Sequence, residues 1–409
     1  LSGGAVAAIG GVIVGMARMN RILSVDPVNR LAVVQPGVVN LELSKAVAKH
    51  GLYYAPDPSS QRACTIGGNV AENAGGPHCL AYGATTNHVL GAEVVLADGE
   101  IVQLGGRTRD TAGYDIIGAF VGSEGTLGIA TAITVRLMRL PESTRTLLAI
   151  FDTVDQASSA VSAIIAAGIL PSALEMMDRN VIAAIEPVIN AGFPLDAEAV
   201  LLIEVDGLDE GTEEQARTIK AICGEGGARE VRIAVAQADR DRLWAGRKTS
   251  ISALGRLYPN YYVLDGVVPR TKLPEVLRQT YAIAAAYDLD VANVFHAGDG
   301  NLHPNLLFDE RVPGATARVL EAGEAIMRAC VDAGGSITGE HGIGLEKRNF
   351  ARWIFTDDDL AVMARLKAAF KAGERYNPCK AFPVHKGCGE VSQQHIAKLA
   401  PQLGSEIYV

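Results

Sequence analysis

Between Arg30 and Met138, short apolar runs rich in β-branched residues, RLAVVQPGV, VLGAEVVLADGEIVQL and GIATAITVRLM, are separated by Gly and Asp turns and by brief helical stretches such as NLELSKAVAKHG. Alternation of apolar and polar positions predicts short strands there, and the glycine spacing predicts tight turns between them. From Pro141 the runs lengthen: RTLLAIFDTV, a helical DQASSAVSAIIAAGI and SALEMMD, then AEAVLLIEVDG, a helical EGTEEQARTIKAICGEG and EVRIAV. Strand, helix and strand in succession, twice over, predict an antiparallel sheet with helices on one face. Three longer amphipathic periods follow, KLPEVLRQTYAIAAAYD, ATARVLEAGEAIMRACVDAG and DDDLAVMARLKAAFKAGE. The last runs from acidic towards basic residues, as the helix dipole favours, and all three read as packing helices. The change of texture predicts an α+β fold with a domain boundary near residue 140: domains 1–140 and 141–383, then a polar, irregular tail over 384–409.

Composition narrows the class. A chain of 409 residues with 48% hydrophobic content can bury more than one core, which fits a multidomain soluble enzyme. Thirty-seven basic against 46 acidic side chains leave a formal charge of -9, and no Lys/Arg run stands out, which argues against a nucleic-acid substrate. The six cysteines, Cys64, Cys79, Cys223, Cys330, Cys379 and Cys388, are scattered and form no C-x-x-C. Neither a disulfide framework nor an iron–sulfur ligand set is legible, so a reducing, cytoplasmic compartment is expected. The apolar opening AVAAIGGVIVGMA, Ala5 to Ala17, has no basic segment before it and is too short to span a bilayer. Its glycines predict packed strands. The chain begins at Leu1, directly before SGG, as though within a loop, and is expected to be a fragment without its natural N-terminus.

Chemistry enters at the glycines. CTIGGNVAENAGG, Cys64 to Gly76, follows the prolines Pro56 and Pro58 and lets backbone N–H groups approach an anion or a flat ring with no Cβ in the way. Ordinary tight turns would look alike for one such stretch, but FVGSEGTLGIAT, Phe120 to Thr131, is a second Gly-rich loop in the same region. Neither matches G-x-G-x-x-G or G-x-x-x-x-G-K-[ST], which removes the usual nicotinamide and nucleoside-triphosphate readings and leaves a differently built dinucleotide site. The second signal is NVFHAGDGNLHPN, with His296 and His303 on either side of an Asp-Gly turn. With VANVFHA as a strand and GDGN as its turn, the two imidazoles lie on opposite arms of a hairpin and can converge on zinc, manganese or iron. GGSITGEHGIG supplies Glu340 and His341 side by side, so that one can bind metal while the other faces a substrate. A metal-dependent hydrolase could use the same set, but it would leave the glycine loops unexplained.

LSGGA, QPGV, DPSSQRACTIGGNVAENAGGPHCLAYG, VGSEGTLGI, FHAGDGNLHPN, GEHGIGLEKR and NPCKAFP together resemble the FAD-linked 2-hydroxy-acid dehydrogenases of the vanillyl-alcohol-oxidase fold, over Leu1 to about Pro383. AENAGGPHCLAYG in particular is similar to the flavin subunits of bacterial glycolate oxidases. The resemblance implies a PCMH-type FAD-binding domain, then a ferredoxin-like α+β cap domain and C-terminal helices. Flavin contacts are implied for Ser2, Gly3 and Gly4, for Pro58, Ser59, Ser60, Thr65, Gly67, Gly68, Asn73, Gly75 and Gly76, for Gly122, Glu124, Gly128 and Ile129, and for Asn377. A divalent metal is implied on His296, His303 and Glu340, with His341 as catalytic base and Arg247 holding the substrate carboxylate. The implied reaction oxidises a small (R)-2-hydroxy monocarboxylate, glycolate or D-lactate, to the 2-oxo acid, with metal assistance and hydride passing from C2 to flavin N5. Dicarboxylate-specific relatives carry a lysine two positions before Asp265, where this chain has Val263. A D-2-hydroxyglutarate-type dehydrogenase and a non-catalytic flavin-fold scaffold subunit are the alternatives.

Several departures accompany the resemblance. Members of the family usually have a further strand-helix-strand and glycine loop leading into LSGGA. Cys379 stands where the family usually has Gly, placing a Cβ in a tight turn beside Asn377. His78 matches a residue near the flavin, and a covalent flavin link through it is one possibility of this fold. With no cluster ligands in this chain, the resemblance implies a separate iron–sulfur subunit and a second flavin-fold subunit as partners; a soluble acceptor is equally compatible. No nucleic acid and no transmembrane segment are expected, and any membrane contact would be peripheral, through partners at the inner face.

Overall fold

The computed structural model describes residues 2–383 apart from 110, 111, 235 and 374. The tail expected over 384–409, with Cys388, lies outside the described residues. In chain order the first region forms β1 (Ile22–Asp26), β2 (Leu31–Val34), α1 (Asn40–Val47), β3 (Leu52–Tyr53), α2 (Ile66–Glu72), α3 (Cys79–Tyr82), β4 (Val89–Val95), β5 (Ile101–Gly105), α4 (Ile116–Phe120), β6 (Ile129–Arg136) and β7 (Met138–Arg139). Five of these strands make an antiparallel sheet in the order β1-β2-β6-β4-β5, and β3 pairs with β7. Apolar positions of the strands, Val34, Val94, Ile133 and Val135, meet Leu43, Val47, Ile66 and Val70 of α1 and α2 in one core. Full burial of each such side chain is worth about 1.5–3 kcal/mol, so these contacts are what fix the loops at the helix ends.

The second region runs β8 (Ser143–Phe151), α5 (Val154–Ala166), β9 (Ala173–Asp178), α6 (Arg179–Ile189), β10 (Ala199–Gly207), α7 (Asp209–Glu225), β11 (Glu230–Ala234), α8 (Gln237–Leu254), β12 (Asn260–Val263), β13 (Gly266–Val267), α9 (Leu273–Ala286), β14 (Asp290–His296), β15 (Asn301–Leu302), β16 (Pro304–Phe308), α10 (Ala315–Asp332) and α11 (Asp357–Ala369). Its nine-stranded sheet has the order β11-β8-β10-β9-β14-β15-β13, with β16 joining β12 to β14. The first four strands have the ferredoxin-like split order, and α5 and α7 cover one face through Val161, Ile164, Ile219 and Cys223.

The expectation of helices on one face is corrected. α6 and α8 cover the opposite face, where Val181, Ile185 and Leu254 pack on Leu148, Ile150, Val200 and Leu202. The reason lies in LLAIF and AVLLI, apolar at every position rather than at every second one, so both faces of β8 and β10 need cover. α10 packs Val319, Ile326 and Met327 against Leu264, Leu306 and Ile337, as a packing helix should. α11 starts in a capping box between Thr356 and Asp359.

A second correction concerns Ala5 to Ala17. Instead of packed strands the segment holds one isolated bridge, Ala8 to Gly10, and Val12 and Ile13 are 91% and 75% exposed. Gly10 and Gly11 stand at φ 79° and 116°, which interrupts any extended run.

Two local features position the site. β14 pairs with β9 so that Phe295 faces Met176 and His296 faces Glu175. The hairpin then turns through Gly300, at φ 74°, whose added Cβ would strike the Val268 carbonyl, and returns as β15 to bring His303 beside His296.

Candidate active site

His296 ends β14 and His303 follows β15, with their rings edge-on at 5.2 Å between centroids. His296 Nδ1 donates to Glu175 at 2.8 Å, and His303 Nδ1 donates to the Leu264 carbonyl at 3.2 Å. With both Nδ1 atoms facing acceptors, each Nε2 is the ring nitrogen turned into the site. Both point at Glu340: His296 Nε2 is 3.3 Å and His303 Nε2 3.1 Å from Oε1. His303 Nε2 and Glu340 Oε2 are buried without any hydrogen-bond partner among the described residues. Two imidazole nitrogens and a carboxylate oxygen within 4.8 Å of one another, with orphaned buried atoms among them, fit a divalent cation of the zinc, manganese or iron kind. Burial disfavours the His296 imidazolium, but Glu175 and Glu340 more than offset it and push the ring up to about 10. Burial likewise opposes the Glu340 carboxylate, and His296 and His303 outweigh it, holding that group well below the usual range. The same negative charge that retains a proton here would retain a metal cation in its place.

His341 stacks on His303 at 4.9 Å and 12°. Its loop is held from below by Asp265, which accepts from the His341 N–H at 2.9 Å, the Thr338 hydroxyl at 2.6 Å and Lys347 Nζ at 2.9 Å. Burial, aided by His303 and resisted by Asp265, pushes the His341 imidazole down to about 4. The ring is therefore neutral near pH 7 and able to accept a proton. Its nitrogens lie 3.9 Å from the nearest carboxylate oxygens, beyond hydrogen-bond reach.

The glycine loops of the first region converge on this cluster. A Cβ on Gly75 would come within 2.8 Å of Glu340 Oε2, and Gly76, at φ 151°, lies against the Asp57 carbonyl. Ser2 Oγ donates to the Gly342 carbonyl, and Glu124 accepts from the Ile343 and Gly344 N–H groups at 2.6 Å each. Asn377 donates to the carbonyls of Gly4 and Glu124 at 2.8 and 2.6 Å. Glu124 thus clamps the His341 loop with both carboxylate oxygens. Thr65 caps α2 by accepting from Gly68 N, and Asn73 ends it at φ 53°. Gly67 and Gly128 are glycine because Pro36 and Val94 lie too close for a side chain. Pro58 is buried, Ser59 and Ser60 are exposed at the loop rim, and Ile129 begins β6. Gly4, Gly75 and Gly76 are glycine because Glu72, Glu340 and the Asp57 main chain lie within 2.8 Å of where a Cβ would stand, and Gly3, Gly76 and Gly122 also take positive φ.

Arg247, 2% exposed on α8, pairs with Glu175 through Nε and Nη2 at 2.7 and 2.6 Å. Both ring nitrogens of His78 face carboxylates. Nδ1 meets Asp57 at 2.9 Å, Nε2 meets Glu204 at 3.2 Å, and the ring stacks on Trp244. Cys379 adopts φ 63°, the left-handed conformation expected of a Gly position. Sequence reasoning missed Glu175, Asp265 and Lys347, all buried. The signal available was a lone acid inside an apolar run, as in ALEMM and VLDGVV, since a charge buried there must have a partner.

The backbone resembles p-cresol methylhydroxylase with TM-score 0.75 at 15% identity, over 91% of this chain and 80% of that one. It resembles the 4-ethylphenol oxidase of Gulosibacter chungangensis with TM-score 0.70 at 19% identity, over 90% and 79%. The fold is therefore that of the PCMH-type flavin-binding proteins. Residues 140–381 match the model of FAD linked oxidases, C-terminal domain, and residues 1–105 match that of the FAD binding domain. The chain belongs to the FAD-linked oxidases, and it is an FAD-dependent oxidoreductase. The glycolate oxidase subunit GlcD of Escherichia coli K12 is 50% identical over 396 residues, 97% of this chain and 79% of that protein. GlcD of Bacillus subtilis 168 is 43% identical over 93% of this chain and 82% of its own. The D-lactate dehydrogenase of Archaeoglobus fulgidus is 35% identical over 93% and 83%. No helix among the described residues is long and apolar enough to cross a membrane.

Proposed function

We propose that the chain oxidises a small (R)-2-hydroxy monocarboxylate, glycolate or D-lactate, to the 2-oxo acid. The observation that carries this reading is the packing of the Gly75 turn on Glu340, which sets the loops of the FAD-binding region against a buried His/His/Glu/His cluster. When bound, FAD takes up the two electrons that leave C2, and a divalent ion acts as a Lewis acid towards the substrate oxygens. His296, His303 and Glu340 would hold that ion. Arg247 would pair with the substrate carboxylate, and His341, neutral and with both ring nitrogens unbonded, accepts the hydroxyl proton. Glu124, Asn377 and Ser2 keep the His341 loop closed against the flavin-binding loops. Val263, opposite Asn305 on β16, offers no cation for a second carboxylate, which favours a monocarboxylate over D-2-hydroxyglutarate.

Supporting organisation is inferred with it. Residues 1–140 act as the FAD-binding domain and 141–383 as the cap, because β7 still pairs in the first region whereas β8 opens the second sheet. Electrons leave to an iron–sulfur subunit and a second flavin-fold subunit in the cytoplasm; two relatives bear the name of a subunit, and the described cysteines are free and scattered. The test is anaerobic flavin reduction, following the visible spectrum of the FAD- and metal-loaded chain as glycolate, D-lactate and D-2-hydroxyglutarate are added in turn. Bleaching by either monocarboxylate is expected. Bound flavin that none of the three reduces would overturn the reading in favour of a scaffold role.

A further inference from the structure

Glu175 sits inside β9 between buried apolar neighbours and is fully enclosed. The assigned set of metal ligands and base does not include it, yet it touches two of the residues assigned to chemistry. His296 Nδ1 donates to Oε1 at 2.8 Å and lies 3.0 Å from Oε2, while Arg247 Nε donates to Oε2 at 2.7 Å. The contacts follow from strand register, since Glu175 is the direct cross-strand partner of His296, and from α8 lying over that face of the sheet.

A carboxylate on the far nitrogen of a metal-binding histidine fixes the tautomer and ring orientation and raises ligand basicity. Here it turns Nε2 towards Glu340, at 3.3 Å, where that nitrogen can ligate once a metal replaces its proton. For Arg247 the same carboxylate engages Nε and Nη2, so that the Nη1 N–H groups and the second Nη2 N–H can serve a further anion. We propose that Glu175 is a positioning residue that locks His296 in its metal-ligating tautomer and Arg247 in its substrate-facing orientation, so that both functions depend on one carboxylate. The inference rests on the reading of His296 as a ligand and Arg247 as the substrate arginine. A glutamine replaces Glu175 poorly, because it removes the charge that faces the guanidinium and turns an NH2 donor towards one of two neighbours that present only N–H groups.

The test is a Zn²⁺ titration of the FAD-containing protein against a chromophoric chelator, with glycolate KM and kcat measured in parallel. The variants are Glu175→Gln, Arg247→Met and the double variant Glu175→Gln/Arg247→Met, with His303→Ala as the control that defines the site. Glu175→Gln and the double variant should bind zinc ten- to a hundredfold more weakly. Arg247→Met should keep zinc within about threefold of wild type, by the same scale of effect, and raise the glycolate KM more than it lowers kcat. The double variant removes the unpaired arginine and so guards against misfolding of the single one; circular dichroism and flavin content report that it is folded. A folded double variant with wild-type zinc affinity would overturn the role of Glu175 alone. A wild-type chain whose zinc binding is unaffected by His303→Ala would overturn the underlying metal site as well.

Discussion

Two buried clusters in this protein are made of imidazoles and carboxylates, and they differ in how completely their polar atoms are paired. His296, His303 and Glu340 lie in the second region, whereas His78 and Asp57 come from loops of the first and meet Glu204 of the second. In the second cluster every group is served: both His78 nitrogens face carboxylates, and Glu204 also accepts from Thr146 and Trp244 at 2.7 and 2.6 Å. In the first, His303 Nε2 and Glu340 Oε2 have no partner among the described residues. Satisfied polar groups make a clamp, whereas orphaned ones keep the capacity to bind something further, because an unpaired buried polar atom is costly unless it is completed.

The comparison can be broken most forcefully at the first cluster. His341→Ala should keep bound FAD while substrate-driven flavin reduction falls by about 10²–10⁴-fold, read by stopped-flow absorbance; near-normal reduction would remove His341 from the base role. His303→Ala should lose stoichiometric metal by elemental analysis, since two ligands do not make a site. The second cluster should respond differently. Glu204→Gln is expected to cost about 1–3 kcal/mol in denaturant unfolding and to leave metal content unchanged; loss of metal there would erase the distinction between the clusters.

A pH series sharpens it further. Burial works against the His78 imidazolium, but Asp57 and Glu204 hold its pKa well above 6.5. The contribution of His78 to stability is therefore fully present below about 6.5 and lost as pH rises through the raised value. Asp57 and Glu204, held below their ordinary values against burial, contribute above those values and lose their share as pH falls. His78→Gln should flatten the alkaline limb of the stability profile, and an unchanged limb would deny the clamp its charge. The smallest effect is expected at Cys379→Gly, which relieves a left-handed Cβ at φ 63° and should stabilise by under about 1 kcal/mol after the added chain entropy.

Much of the site was legible because its chemistry is local. His296 and His303 straddle one turn, so hairpin geometry alone brings those two near a common point, and Glu340 and His341 are neighbours on another loop. Glu175 was not legible as a partner. It reaches His296 only through the register of two strands separated by more than a hundred residues. The second helical layer was misjudged for a related reason: the unbroken apolar runs in β8 and β10 already demanded cover on both faces, but the order of strands and helices suggested one.

The sequence by itself determined the glycine turns, the His296/His303 hairpin and the strand-helix succession, because each depends on residues within a few positions of one another. Only the tertiary structure decided that Glu124 would grip the His341 loop, that Asp57 and Glu204 would enclose His78, and that Arg247 would share Glu175 with His296. Those pairings join segments far apart in the chain. They form because folding buries charges that can stay buried only when another segment brings the opposite charge or a hydrogen bond to meet them.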